Sequence, residues 1–198
     1  AAEKVRIARQ LERIGVHSID AGFPVAGVAE VESVAMVAAA VRAPVVTALC
    51  RARTEDVDAA RQALKDKTMR KRGVSLFIGT SPRHRENKLR MSKTEIIERS
   101  LAVIDYAADF FPVISFAPED ASRTEIDFLV ELYEKVIDAG VANIGFTDTV
   151  GCLNPESTRR YIGEIVDRTP NIDRALLAVH FHNDLGMATA NTLAAIKT

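Results

Sequence analysis

Residues 175–184 read ALLAVHFHND: a five-residue apolar run leads into His180, Phe181 and His182, and the chain turns polar at Asn183 and Asp184. A short apolar run bounded by polar residues is the pattern of a buried strand. On a strand, side chains two apart leave the same face, so the two imidazoles project together from its carboxyl end. A helix would point them apart. Five other apolar runs end in the same way. IDAGFP (19–24), ALCRA (48–52), FIGTS (77–81), FAPED (116–120) and FTDTVG (146–151) place Asp20, Arg51, Thr80, Ser81, Glu119, Asp148 and Thr149 at strand ends.

Working outward, the short apolar runs alternate with longer amphipathic ones, as βα units around a parallel sheet do. The pattern predicts strands over 17–21, 45–49, 74–78, 113–116, 143–146 and 176–181, with helices over 28–41, 55–64, 93–108, 125–139, 155–168 and 185–196. Thr54, Ser92, Thr124 and Asn154 with Pro155 mark helix starts, and Gly140 marks a stop. A doubly wound sheet gives the same element order. Polar residues at every strand end favour a TIM-type (β/α)8 barrel, in which those ends converge on one mouth. The expected fold class is therefore α/β, an incomplete barrel with about six of the eight strands. At 198 residues the chain falls short of the roughly 250 a complete barrel needs. Residues 1–198 are expected to form one catalytic barrel domain, truncated at both ends.

Composition narrows the function classes. The apolar fraction of 47% and charged fraction of 27% are those of a globular protein with a packed core. A net charge of -1 supplies no electrostatic footprint for nucleic acid, and the basic run 83–90, broken by Glu86, reads as a solvated loop. The longest apolar stretch, 31–50, is interrupted by Glu32, Arg42 and Pro44, so no membrane-spanning helix is expected. The opening AAEKVRIARQLERIG is amphipathic at helical spacing, unlike a signal peptide. Cys50 and Cys152 match no metal or redox spacing and suit reduced thiols in a cytoplasmic protein.

The paired histidines are the leading chemical feature. Two rings from one strand can grasp a single cation from fixed backbone positions, with an oxygen ligand or two supplied from elsewhere. The alternative is a pair of hydrogen-bonded polar side chains. Glu119 is either a substrate-facing carboxylate or a cap on the following helix, and Asp120 reads as the capping or scaffold residue. Thr149 taken alone satisfies a turn. Asp20 is either a substrate or supporting group, or the partner of Arg51. His84 reads as a loop residue and Arg123 as a brace for the Glu119 loop.

Five stretches in order carry a family resemblance: IDAGFP, TSPRH (80–84) with KLRMS (88–92), PEDASR (118–123), DTVG (148–151) and HFHNDLGMATAN (180–191). Together they resemble the DRE-TIM metallolyases, and among these the 2-isopropylmalate and homocitrate synthases. The resemblance implies condensation of acetyl-CoA with a 2-oxo acid, 2-oxoisovalerate first, followed by thioester hydrolysis. It also implies a divalent metal (Zn, Mn or Mg) on His180 and His182, a Thr149 hydrogen bond to the oxo-acid carboxylate, Glu119 against the substrate, and a homodimer as the full-length enzyme. Asp20 and Ser75 line the implied pocket. Ser75 stands where many isopropylmalate synthases have a histidine, and Ala117 where a serine is usual, so pocket shape is expected to differ. The Arg-Asp pair of the family's first strand and the asparagine of its last find no match, which is the ground for expecting a fragment that is inactive alone. Competing readings are a homocitrate or citramalate synthase, an acyl-CoA lyase of the hydroxymethylglutaryl type, and a non-catalytic barrel fragment.

Overall fold

A computed structural model describes residues 1–65 and 71–198. The chain forms α1 (Ala2–Arg13), β1 (Ser18–Asp20), α2 (Val28–Ala40), β2 (Val45–Arg51), α3 (Thr54–Ala63), β3 (Arg72–Gly79), α4 (Lys93–Ala108), β4 (Val113–Glu119), α5 (Ile126–Asp138), β5 (Asn143–Asp148), α6 (Pro155–Arg168), β6 (Leu176–Phe181) and α7 (Ala188–Ile196). The six strands make one sheet in sequence order, β1-β2-β3-β4-β5-β6. Strictly sequential order with helical crossovers is that of consecutive units of a (β/α) barrel and not of a doubly wound sheet, whose order reverses at a switch point. The chain divides into two compact units, Ala1–Phe77 with Ala102–Ser115, and Ile78–Leu101 with Phe116–Thr198.

In the first unit β1, β2 and β3 pair in parallel, with Asp20 beside Thr47 and Leu49 beside Ser75. Alternation then sorts the side chains. Val46, Ala48, Cys50, Val74 and Leu76 share a face and are buried, as are Val34 and Val37 of α2 and Val57 and Ala60 of α3. Each fully buried valine contributes about 1.5–3 kcal/mol, and Val57→Asp would place an unpaired charge in that layer. Asp20, Thr47, Leu49 and Ser75 share the opposite face.

The second unit repeats the scheme. Phe128, Leu129, Leu132, Tyr133, Val136 and Ile137 form the buried stripe of α5, at the spacing a helix needs to present one apolar side. The Tyr133 hydroxyl donates to the Gly145 carbonyl at 2.7 Å, and burial pushes its phenol strongly upward, so it remains a donor. Ile144, Phe146 and Asp148 are the buried residues of β5. On β6, Leu177, Val179 and Phe181 are half-buried, whereas Leu176, Ala178 and His180 are exposed.

Some helix boundaries follow local chemistry and others do not: Thr54 opens α3 without a side-chain cap bond. Asn154 and Ser157 form a capping box at the start of α6, with Pro155 in its first turn. Ser92 and Glu95 exchange the same pair of bonds before α4. Gly140, at φ +95, accepts the left-handed turn that ends α5. Thr124 does not cap: its hydroxyl pairs with Thr80 and the Asp120 carbonyl, and α5 starts two residues later. The last helix starts at Ala188 and not at 185, because the Asn183 side chain accepts from the Ala188 N–H across a turn at Gly186.

Candidate active site

Within the first unit, strand register brings Asp20, Thr47 and Ser75 side by side. The Thr47 hydroxyl donates to Asp20 Oδ1, and the Ser75 hydroxyl donates to the same oxygen at 2.7 Å. Two neutral donors on one oxygen anchor the carboxylate and leave Oδ2 open. Of the two readings of Asp20, pairing with Arg51 is not realised. Arg51 is instead held by Asp56, which accepts from its backbone N–H and from its Nε and Nη2 at 2.8–2.9 Å. Asp56 is buried, and its hydrogen bonds hold the Arg51 guanidinium further above its ordinary value. The guanidinium also lies over the Phe23 ring.

Within the second unit, Glu119 and Asp120 end β4 with opposite fates. Glu119 is half-buried, and Lys88 Nζ lies 2.7 and 3.0 Å from its two oxygens. It therefore does not cap the following helix. Asp120 is fully buried in a left-handed turn at φ +67 and is gripped through both oxygens by Arg123 at 2.8–3.1 Å. Burial pushes the Asp120 carboxyl up, but the Arg123 and Ser81 hydrogen bonds and the Arg123 charge outweigh it and leave it lowered. Arg123 thus braces this turn through Asp120.

The basic run 83–90 is not a freely solvated loop. Residues His84–Leu89 form a π-helical turn. Arg85 is buried, donating to the Thr80 carbonyl at 2.7 Å and to both Glu125 oxygens at 2.9 Å. His84 Nδ1 lies 3.7 Å from Glu119 Oε2, and Nε2 lies 4.0 Å from Asp120. His84, read from sequence as a loop residue, and Lys88, read as part of a solvated run, both lie beside Glu119.

Thr149 sits just beyond β5, where its oxygen accepts from the Asp120 N–H at 2.8 Å. With that lone pair engaged, its hydroxyl proton is free to donate. Asp148 faces inward and is structural, accepting from the Ser122 hydroxyl at 2.7 Å and from the Leu153 N–H at 3.0 Å. Asn191 ties the same loop down by donating to the Leu153 carbonyl at 2.9 Å. Gly151, at φ +59, lets this loop press against the end of β6. A Cβ there would lie 2.9 Å from the His182 carbonyl and 2.8 Å from Asp184 Oδ2.

His180 pairs in register with Thr147 and shares its face. Glu119 lies on that face too. Ala117, two residues earlier, is so close to Gly145 that a Cβ on Gly145 would meet it at 2.9 Å. The rings of His180 and His182 stand 5.2 Å apart, centroid to centroid, at 43°. Imidazole nitrogens bind divalent metals at about 2 Å, which sets two rings on one tetrahedral cation roughly 5 Å apart. The pair fits two positions of such a shell. Among the described residues no group of three His, Cys, Asp or Glu gathers to complete it.

Comparison with known proteins adds a second line of evidence. The sequence profile of the HMGL-like family matches residues 1–198. The 2-isopropylmalate synthase of Hydrogenovibrio crunogenus is 45% identical over 196 residues, 99% of this chain and 38% of that protein. That of Nitrosomonas eutropha is 46% identical over 195 residues, again 38% of its length. The chain thus spans well under half of these relatives. The crystal structure of hydroxymethylglutaryl-CoA lyase from Pseudomonas aeruginosa superposes with a TM-score of 0.77 at 22% identity, covering 98% of this chain and 65% of that one.

Proposed function

Because the chain belongs to the HMGL-like family over residues 1–198, we propose that it carries the metal-binding and substrate-facing part of an acyltransferase. In this reading acetyl-CoA condenses with a 2-oxo acid, 2-oxoisovalerate first, and thioester hydrolysis gives 2-isopropylmalate on the route to leucine. The observation that carries the reading is the pair of imidazoles 5.2 Å apart on the sheet face that also bears Glu119. Relatives named 2-isopropylmalate synthase at 42–46% identity support the synthase over the lyase, a choice that likeness of fold does not make.

His180 and His182 would hold the divalent cation, which when bound supplies Lewis acidity toward a ketone oxygen. Thr149 offers its free hydroxyl proton to the oxo-acid carboxylate, since Asp120 already occupies its acceptor side. Glu119 presents a carboxylate of fixed direction that can accept a substrate proton. Asp20, steadied by Thr47 and Ser75, offers an anchored acceptor for a hydroxyl within the first unit. Among the described residues no helix is long and apolar enough to cross a membrane. The two free cysteines suit a cytoplasmic enzyme.

The test is thiol release from acetyl-CoA by the intact protein that carries this chain, with a panel of 2-oxo acids and with or without chelator. The expected result is acceleration by 2-oxoisovalerate that chelator removes and divalent metal restores. No acceleration by any 2-oxo acid would sink the proposal.

A further inference from the structure

Local composition assigns Lys88 and His84 to solvent, yet the fold bends their segment into a π-helical turn, His84–Leu89. Such turns are rare and gather at functional sites. This one brings Lys88 and His84, four residues apart, onto the same carboxylate oxygen. Lys88 Nζ lies 2.7 Å from Glu119 Oε2, and His84 Nδ1 lies 3.7 Å from it. The turn is fastened from below, because Arg85 is buried and clamps Glu125 and the Thr80 carbonyl. The strand beneath makes room for the ring: a Cβ on Gly79 would sit 2.6 Å from His84 Nδ1 and 2.8 Å from its Cβ. His84 Nδ1 is buried without a hydrogen-bond partner, so the ring is packed there at a cost that stability alone does not explain.

We propose that Lys88 is a positioning residue for Glu119, holding its carboxylate by both oxygens while His84 wedges its flank. The inference rests on reading Glu119 as a substrate-facing group. Lys88 is half exposed, and ion pairs of that kind add little to stability. A purely structural role therefore has little to act on. A long carboxylate side chain otherwise samples several rotamers, and a charge-assisted contact through both oxygens selects one.

The experiment is steady-state kinetics of the intact protein with Lys88→Met, Lys88→Arg, Glu119→Gln and the double variant Lys88→Met/Glu119→Gln. Lys93→Met, which removes a lysine paired with Glu125, serves as control. Loss of orientation at a reacting group costs on the order of 100-fold. Lys88→Met should accordingly lower kcat about 10–100-fold, with KM for the oxo acid and Tm nearly unchanged. Lys88→Arg should recover most of the loss, Lys93→Met should match wild type, and the double variant should be no worse than Glu119→Gln alone. If Glu119→Gln is crippled while Lys88→Met turns over normally, or if the two losses add, the inference is overturned and the functional reading survives. If Glu119→Gln itself turns over like wild type, the role given to Glu119 fails and this inference with it.

Discussion

The two units solve the same problem, a carboxylate at the end of a parallel strand, in opposite ways. In the first unit Asp20 is steadied by two hydroxyls, Thr47 and Ser75, while the strand-end cation Arg51 is committed to buried Asp56. In the second unit Glu119, Asp120 and Glu125 each hold a cation: Lys88, Arg123 and Arg85. Hydroxyls orient a carboxylate without neutralising it, whereas a cation both orients it and offsets its charge. The chemistry proposed above is concentrated where the cations are, on the strand ends that also carry the two neighbouring imidazoles. The second unit thus balances its carboxylates one by one.

The comparison breaks most visibly if the two units respond alike to substitution. His182→Ala removes one of the two paired rings and is expected to lower metal-dependent turnover by roughly a thousandfold or more, as loss of a metal ligand does, while far-UV circular dichroism stays unchanged. Asp20→Asn in the first unit keeps an acceptor for both hydroxyls and should cost about tenfold or less. Equal losses in the two variants would erase the distinction.

A second test concerns stability. Asp56 is buried and receives three bonds from Arg51, one of them from the backbone N–H. Asp56→Ala leaves that N–H without its partner and is expected to cost about 2–3 kcal/mol, read as a lower midpoint in urea. A change under about 0.5 kcal/mol would mean that the pair is not structural.

The third test uses pH. Hydrogen bonds from Arg85, working against burial, hold the Glu125 carboxyl down at about 2, below its ordinary 4.5. A carboxyl lowered in the folded state stabilises the fold above its unfolded value and ceases to do so as pH falls toward the folded one. The contribution is thus present above about pH 5 and lost by about pH 2. Because the side chain is 41% exposed, solvent screening reduces it to about 1 kcal/mol. Glu125→Gln should melt lower than wild type at pH 7, and the gap should close toward pH 2. The smallest effect is expected from Ser75→Ala, which removes one of two donors to Asp20. It should change KM for the oxo acid within about threefold, and a larger change would raise the first unit's share in binding.

Much of this was legible in the sequence because it is encoded locally. The six strands follow from short apolar runs, and Asn154 with Pro155 or Ser92 with Glu95 announce their helices within four residues. The common face of His180 and His182 follows from strand alternation alone. What escaped was set by partners distant along the chain. Lys88 finds Glu119 across 31 positions and Arg85 finds Glu125 across 40, so two cations of a basic run looked solvated when they were paired. Thr124 looked like a cap because nothing nearby revealed that Thr80, 44 residues away, would claim its hydroxyl. Arg51 went the other way: pairing with Asp20 was one of two level readings, and its actual partner lies only five residues on, at Asp56.

The most direct check on the central claim is equilibrium binding of a divalent cation to the intact protein, measured by dialysis and metal analysis for wild type and for His180→Ala/His182→Ala. The account predicts one tightly held cation per chain in wild type and an affinity lower by at least about a hundredfold in the double variant. Retention of the cation at wild-type affinity without the two imidazoles would contradict it.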